Sequence, residues 1–459
     1  MTPPDPIEER TWVQLVTKVL RLAWPIIGLN LLQVLALAVD TAMVGRTPQA
    51  DDALTGLGYA TQISWLLMVA MIGLTVGTVA FISRAHGAEE HDRVAHILQQ
   101  SIQLTLVVGA LVAIFGNLLA TPMMLALGAQ GDALDAGLAY LRPMMAGALF
   151  PYLNILFAAA LRGVGDTRAA FFVSLVMNLL NALFNYGLIL GNFGLPALGI
   201  QGAALGTIAA QAVAVVMMIA WLRRGHLPGM SPRLRLVAID WTLTRDLFRV
   251  GWPAAADMLV LNAAFLSVIG MLGRIDQAAV AAHGVGLRIQ AIAFVPGMSI
   301  AQALGAMVGN ALGAEKVQEA RRVMWVGTTM CFGLMTPLGF LLIGLGGTIV
   351  TWFGIQTGTP MHGFAIDWMQ LLGWSMPFVS IYIGISGLLQ GAGYTRANLI
   401  INAATTFVIQ IPLSAVLGFA LGLGAWGVWA AFPLTFMAKM LWGYAEYRRD
   451  RWVKTGARA

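Results

Sequence analysis

Residues 24–46 read WPIIGLNLLQVLALAVDTAMVGR, and between Trp24 and Val44 the only charged side chain is Asp40. An apolar run of about 20 residues is long enough to cross a bilayer as a helix. An ionised carboxylate at membrane depth costs several kcal/mol, so such acids are rare and mark ion or substrate paths. Away from water a carboxyl group takes up a proton more readily, which suits Asp40 to carrying H+. The plainer reading is a neutral carboxylic acid held by hydrogen bonds for structure.

The same composition extends outward along the chain. Of 459 residues, 58% are hydrophobic and 10% charged, and the mean hydropathy is +0.77. A soluble domain carries about 25% charged residues, so this composition belongs to an integral membrane protein. Twelve spans are expected, near 20–43, 55–82, 95–118, 133–158, 169–190, 200–222, 247–270, 279–309, 322–346, 364–388, 397–419 and 425–446. The apolar runs are continuous rather than alternating, which excludes a membrane β-barrel. Pro25, Pro143, Pro151, Pro253, Pro296 and Pro377 fall inside spans, where proline kinks a helix.

The opening MTPPDPIEER is polar and acidic and predicts no cleavable signal peptide. Cys331 is the only cysteine, which rules out an intrachain disulfide and a cysteine-rich metal site. The net charge of +6 does not point to nucleic acid. All but five of the 27 Lys and Arg fall in one set of loops, the exceptions being Arg46 and Arg274 opposite, and Arg142, Arg288 and Lys439 within spans. By the positive-inside rule both termini are cytoplasmic, which requires an even number of spans.

The chain also repeats itself. Trp24-Pro25 recurs as Trp252-Pro253, an offset of 253 − 25 = 228. At that offset Met43, Gly45 and Arg46 fall on Met271, Gly273 and Arg274, while Gly56, Gly58 and Gln62 fall on Gly284, Gly286 and Gln290. LRGVGDTRA (161–169) falls on LQGAGYTRA (389–397) at the same register. With small gaps, HGAEE (86–90) matches LGAEK (312–316) and LGIQGAA (198–204) matches LGAWGVW (423–429). Parallel repeats of this kind build secondary transporters, with the site between or within the lobes. The expected fold is therefore an all-α polytopic membrane protein with twelve transmembrane helices in two pseudo-symmetric six-helix bundles. Its parts are an N-terminal lobe (1–222), a cytoplasmic interlobe linker (223–246), a C-terminal lobe (247–446) and a basic cytoplasmic tail (447–459).

Polar stripes interrupt the apolar spans. Asn30, Gln33, Leu37 and Asp40 lie within about 80° of each other on a helical wheel. Asn178, Asn181 and Asn185 stand at i, i+3 and i+7 in span five, again on one face. Lipid cannot satisfy these amides, so both stripes should point into the bundle. One carboxylate among amides suits a proton or a small hard cation bound by oxygens. Helix–helix hydrogen bonding explains the asparagines equally well, Asn178 above all. The six His show no paired metal spacing, and no phosphate-cradling glycine loop is present, which argues against ATP as the energy source.

With its first-span pattern, its LRGVGDTR loop after span four and the echo LQGAGYTR after span ten, the chain resembles the multidrug and toxic compound extrusion (MATE) family over essentially its whole length. The resemblance implies two six-helix bundles in a V, and the lack of catalytic motifs predicts no enzymatic activity. It also implies a cation or proton site in the first lobe made by Asp40, Asn181, Asn185 and Thr207, with Tyr140 and Asn154 in matching places of span four; the span-five stripe adds Asn178 as a candidate. Some relatives have Asp where this chain has Asn185, which lowers the negative charge here. The second half departs from the family further: Asp40 falls on Val268 at the repeat register. Acids that some branches place in spans seven and ten are replaced at about Leu261 and at Ile383 or Gly384. Asp257, one turn before Leu261, joins Asn30, Gln33 and Leu37 as a cavity candidate.

The expectation is an H+-coupled antiporter that exports amphipathic organic cations by alternating access, without a cofactor, as a monomer in a bacterial inner membrane. A Na+-coupled antiporter and a lipid-linked-precursor flippase are the competing readings. The flippase would want a strongly basic cavity, against which only Arg142, Arg288 and Lys439 lie within spans. A scaffold would leave Asp40→Asn without phenotype, and a membrane-embedded enzyme is disfavoured by the lack of any nucleophile–base or metal motif.

Overall fold

The computed structural model describes residues 12–46, 50–225, 227–232 and 237–454, without the side chains of Leu37 and Ala50. The acidic opening residues and the last five of the tail lie outside the described residues. Every regular element among those described is helical. Twelve segments follow the expected order: α1 (Trp12–Val44), α2 (Ala50–Gly87), α3 (His91–Ala126), α4 (Gly131–Ala146 and Leu149–Val164), α5 (Thr167–Leu190) and α6 (Ile200–Arg223) form the first half. The second half holds α7 (Trp241–Gly273), α8 (Gln277–Gly313), α9 (Val317–Trp352), α10 (Pro360–Gly391), α11 (Thr395–Ala420) and α12 (Gly424–Arg448). Ten are long and apolar enough to cross a membrane, and the bent α4 makes eleven. The twelfth, α12, falls short because it carries Lys439 and three tryptophans.

Helices outrun the apolar windows because polar residues continue the same hydrogen-bond ladder. Thus α7 starts at Trp241, inside the stretch expected to be linker, where the Asp240 side chain caps the amides of Thr242 and Leu243. The remaining linker is tied to α3: Gln100 and Gln103 amides donate to the carbonyls of Ala238 and Val237 at 2.9 and 2.6 Å. The 55° bend in α4 falls between Ala146 and Leu149, just before Pro151, which has no amide to continue the ladder across it, while Pro143 stays inside its helix. Pro25 and Pro253 stay inside continuous helices.

The duplication is visible in single contacts. Thr167 donates its hydroxyl proton to the Leu22 carbonyl at 3.0 Å, and Thr395 to the Val250 carbonyl at 2.6 Å, both pairs related by 228 residues. Leu15, Val19 and Leu22 of α1 are buried in the core formed with α8, α9 and α10. Their repeat partners Leu243, Leu247 and Val250 of α7 are buried in the core of the first half. Each half therefore begins its first helix on the opposite lobe.

The two lobes meet near the end that bears the termini. There Arg162 donates to the Gln302 side-chain oxygen at 2.9 Å and Arg84 to the Ala392 carbonyl at 3.1 Å. Deeper, Asn30 donates to the Ser299 hydroxyl at 2.9 Å. Gly73 and Gly251 let α2 and α7 touch backbone to backbone: a Cβ on Gly73 would lie 2.7 Å from the Gly251 carbonyl oxygen.

Candidate functional site: a carboxylate–amide centre in the first lobe

Asp40 lies near the far end of α1 and is half-buried. Its Oδ1 accepts a hydrogen bond of 2.6 Å from Asn185 Nδ2 on α5. Asn185 is fully buried because Gly206 of α6 has no side chain: a Cβ there would collide with Asn185 Oδ1. That oxygen is buried without a hydrogen-bond partner among the described residues. The Asn185 amide thus turns its nitrogen to the carboxylate and its oxygen to Gly206, and the carboxylate beside it suits a proton or a small cation. Tyr140 is buried beside them and is close enough to be affected by the Asp40 charge.

The polar seam continues down α5 in helical steps. One turn from Asn185, the Asn181 amide donates to the Thr207 hydroxyl at 3.0 Å, and Thr207 donates to the Ala203 carbonyl at 2.8 Å. One turn further, Met177 and Gln211 receive the Asn154 amide at 3.3 and 2.8 Å. Asn178 points elsewhere and bonds its own helix at the Ser174 carbonyl, 2.7 Å away. Of the sequence candidates, Asp40, Asn185 and Tyr140 share one centre, Asn181–Thr207 and Asn154 form the seam below it, and Asn178 stands apart.

The α1 stripe divides likewise. Asn30 is taken up by Ser299 of the other lobe, whereas Gln33 is exposed. Leu37 cannot be placed, since its side chain lies outside the described residues. Asp257 does not line an open cavity: it is 4% exposed and held by the side-chain amides of Asn398 and Asn402 inside the second lobe. Those two partners escaped the sequence reading, although they stand at i, i+4 in an apolar span. No group of three His, Cys, Asp or Glu among the described residues is placed to hold a metal ion.

Comparison with known proteins agrees with this architecture. The family model described as MatE matches residues 25–187 and again 253–416, the two matches starting 253 − 25 = 228 residues apart. The probable multidrug resistance protein NorM of Thermotoga maritima is 26% identical over 439 residues, covering 95% of this chain and 93% of that protein. The probable multidrug resistance protein YoeA of Bacillus subtilis is 24% identical over 426 residues, covering 92% and 91%. A crystal structure of MATE in the bent conformation superposes with a TM-score of 0.87 at 22% identity, over 98% of this chain and all of that one. The outward-facing conformation of a multidrug resistance MATE family transporter superposes with a TM-score of 0.86 at 23% identity.

Proposed function

The chain belongs to the MatE family, and from that premise we propose that it is a multidrug efflux antiporter of a bacterial inner membrane, exporting amphipathic organic cations in exchange for H+. The observation that carries the reading is the 2.6 Å bond from Asn185 to Asp40 beside an unpartnered amide oxygen. An ionised Asp40 accepts from Asn185 and keeps α1 docked on α5. Protonation removes the charge, weakens that bond and frees the far half of α1. The near half of α1 is packed on the other lobe, so a shift of the helix is felt at the lobe interface. Drug and proton then favour different states of one cycle, and each lowers the affinity for the other.

A Na+-coupled cycle is the second reading, favoured by the lone Asn185 oxygen, since Na+ wants several oxygen ligands where a proton wants one. The assay is uptake of a fluorescent organic cation into proteoliposomes, driven separately by a pH gradient and by a Na+ gradient. Uphill movement driven by the pH gradient and lost in Asp40→Asn is expected. Drive by Na+ alone would move the coupling to that ion. Absence of movement under either gradient, with folded protein, would sink the antiporter and bring the lipid-linked-precursor flippase forward.

A further inference from the structure

In the second lobe an acid closes a ring of hydrogen bonds. Asp257 on α7 accepts the Asn398 amide at Oδ2 (2.9 Å) and the Asn402 amide at Oδ1 and Oδ2 (2.7 and 2.9 Å). Behind these two asparagines of α11 stands Tyr382 of α10, its hydroxyl 3.1 and 2.9 Å from their side-chain oxygens. All four side chains are buried, between 3% and 6% exposed.

The protons of this ring can be counted. A hydroxyl has one proton to give, and here two amide oxygens face it. With Asp257 ionised, both NH2 groups turn to the carboxylate, and the two oxygens are left to share that one proton. A half-turn of the Asn398 amide exchanges its oxygen and NH2 with little change of shape. Its NH2 then donates to Tyr382, Tyr382 donates to the Asn402 oxygen, and the Asn402 NH2 donates to Asp257 Oδ1. The Asn398 oxygen comes to face Asp257 Oδ2, a contact that needs a proton, and a protonated carboxyl supplies it. Every link then holds one proton, and bonds in such a closed chain reinforce one another. An ionised carboxylate enclosed away from water is costly, which adds to the pull of this form.

The ring is not a second copy of the Asp40 centre. At the offset of 228, Asp257 and Asn398 fall on Leu29 and Ala170, both in the first lobe's apolar core, while Asp40 falls on the fully buried Val268. Yet it joins the same pair of helices, since α7 and α11 repeat α1 and α5. The start of α7 is packed in the first lobe's core, so a change at Asp257 bears on a helix that both lobes hold. Lys439 on α12 is the charged group that acts on Asp257 from outside the ring, and Tyr382 is the titratable one within it.

We propose that Asp257, Asn398, Tyr382 and Asn402 form a second proton-binding site, which takes up one proton on Asp257 with a half-turn of the Asn398 amide. On the antiporter reading of Asp40, on which this consequence rests, the two lobes then exchange one proton each.

The test is infrared difference spectroscopy of the purified full-length protein against pH, with Asp40→Asn present throughout to remove the first-lobe acid. Acidification is expected to raise a carboxyl C=O band that shifts in D2O and is lost on adding Asp257→Asn. That variant can keep every link of the protonated ring, its NH2 replacing the carboxyl proton, and is expected to fold. Tyr382→Phe removes two bonds from the protonated ring but only one shared proton from the ionised form. The band should therefore titrate at lower pH in Tyr382→Phe, by roughly half a unit to one unit. No Asp257-dependent band, a band that does not change with pH, or a Tyr382→Phe midpoint that stays or rises overturns the proposal. The spectra need no transport: the band without antiport would sink the functional reading alone, and antiport without the band would sink the ring alone.

Discussion

Asn185 serves Asp40 with its NH2 group and leaves its oxygen free, and Gly206 makes room for both. A hydrogen bond to a charged group contributes about 1.5–3 kcal/mol, on the order of ten- to a hundred-fold in an equilibrium. Asn185→Ala is therefore expected to lower gradient-driven uptake by about an order of magnitude or more. Gly206→Leu should do the same without touching a polar group, because its side chain occupies the place of the Asn185 amide. Asn178→Ala should leave uptake near wild type, its amide being spent on its own helix. Initial rates in proteoliposomes distinguish the three, and a silent Asn185→Ala would remove Asn185 from the mechanism. Asp40 was legible in the sequence because a charge in an apolar run has few explanations. Asn178 and Asn181 were not separable there, since three residues along a helix turn a side chain by about 300°, and only the neighbouring helices decide which one meets a partner.

Among the elements, the linker has the clearest chemistry. The Asp240 carboxylate accepts from His96 on α3, at 3.0 Å, and from the first amides of α7, and these bonds hold it below its usual range. A depressed carboxylate stabilises above its unfolded value, about 3.9, and loses that contribution as pH falls through the folded value. The linker should thus be protected from limited proteolysis at neutral pH and become cleavable below roughly pH 4. Asp240→Ala should be cleaved faster already at pH 7, and equal cleavage of variant and wild type would show that the clamp does not hold the linker. That α7 starts at Trp241 was hidden in the sequence, because polar first turns look like loop until a cap and a docking surface are known. That α4 bends by 55° just before Pro151, while Pro25 and Pro253 stay inside continuous helices, was not readable in the sequence, where all six prolines carried the same expectation of a kink.

For the molecule as a whole, the halves interlock through exchanged helix starts and close around Arg162–Gln302 and Arg84–Ala392. Alternating access requires these contacts to part. With the native Cys331 replaced by Ala, the pair Arg162→Cys and Gln302→Cys should cross-link and arrest transport, and reduction should restore it. Efficient cross-linking with undiminished transport would mean that the lobes do not separate there. Adding bulk at Gly73, whose missing side chain lets α2 meet the Gly251 backbone, should prise the same interface open. Distances between spin labels on the two lobes should lengthen in Gly73→Val, and an unchanged distribution would relieve this contact of that role.

The sequence by itself determined the membrane setting, the helical class, the duplication and the identity of the first-lobe acid. Each of these follows from one-dimensional signals: hydropathy, a repeat register, and a charge where hydrocarbon is required. Tertiary structure decided what those signals leave open. It placed Asn185 rather than Asn178 on Asp40, gave Asn30 to the opposite lobe, and enclosed Asp257 with Asn398 and Asn402, the latter 145 positions away (402 − 257). A buried polar group must be satisfied by whatever faces it. Which residue faces it depends on how separate helices pack, and chain order carries no record of that.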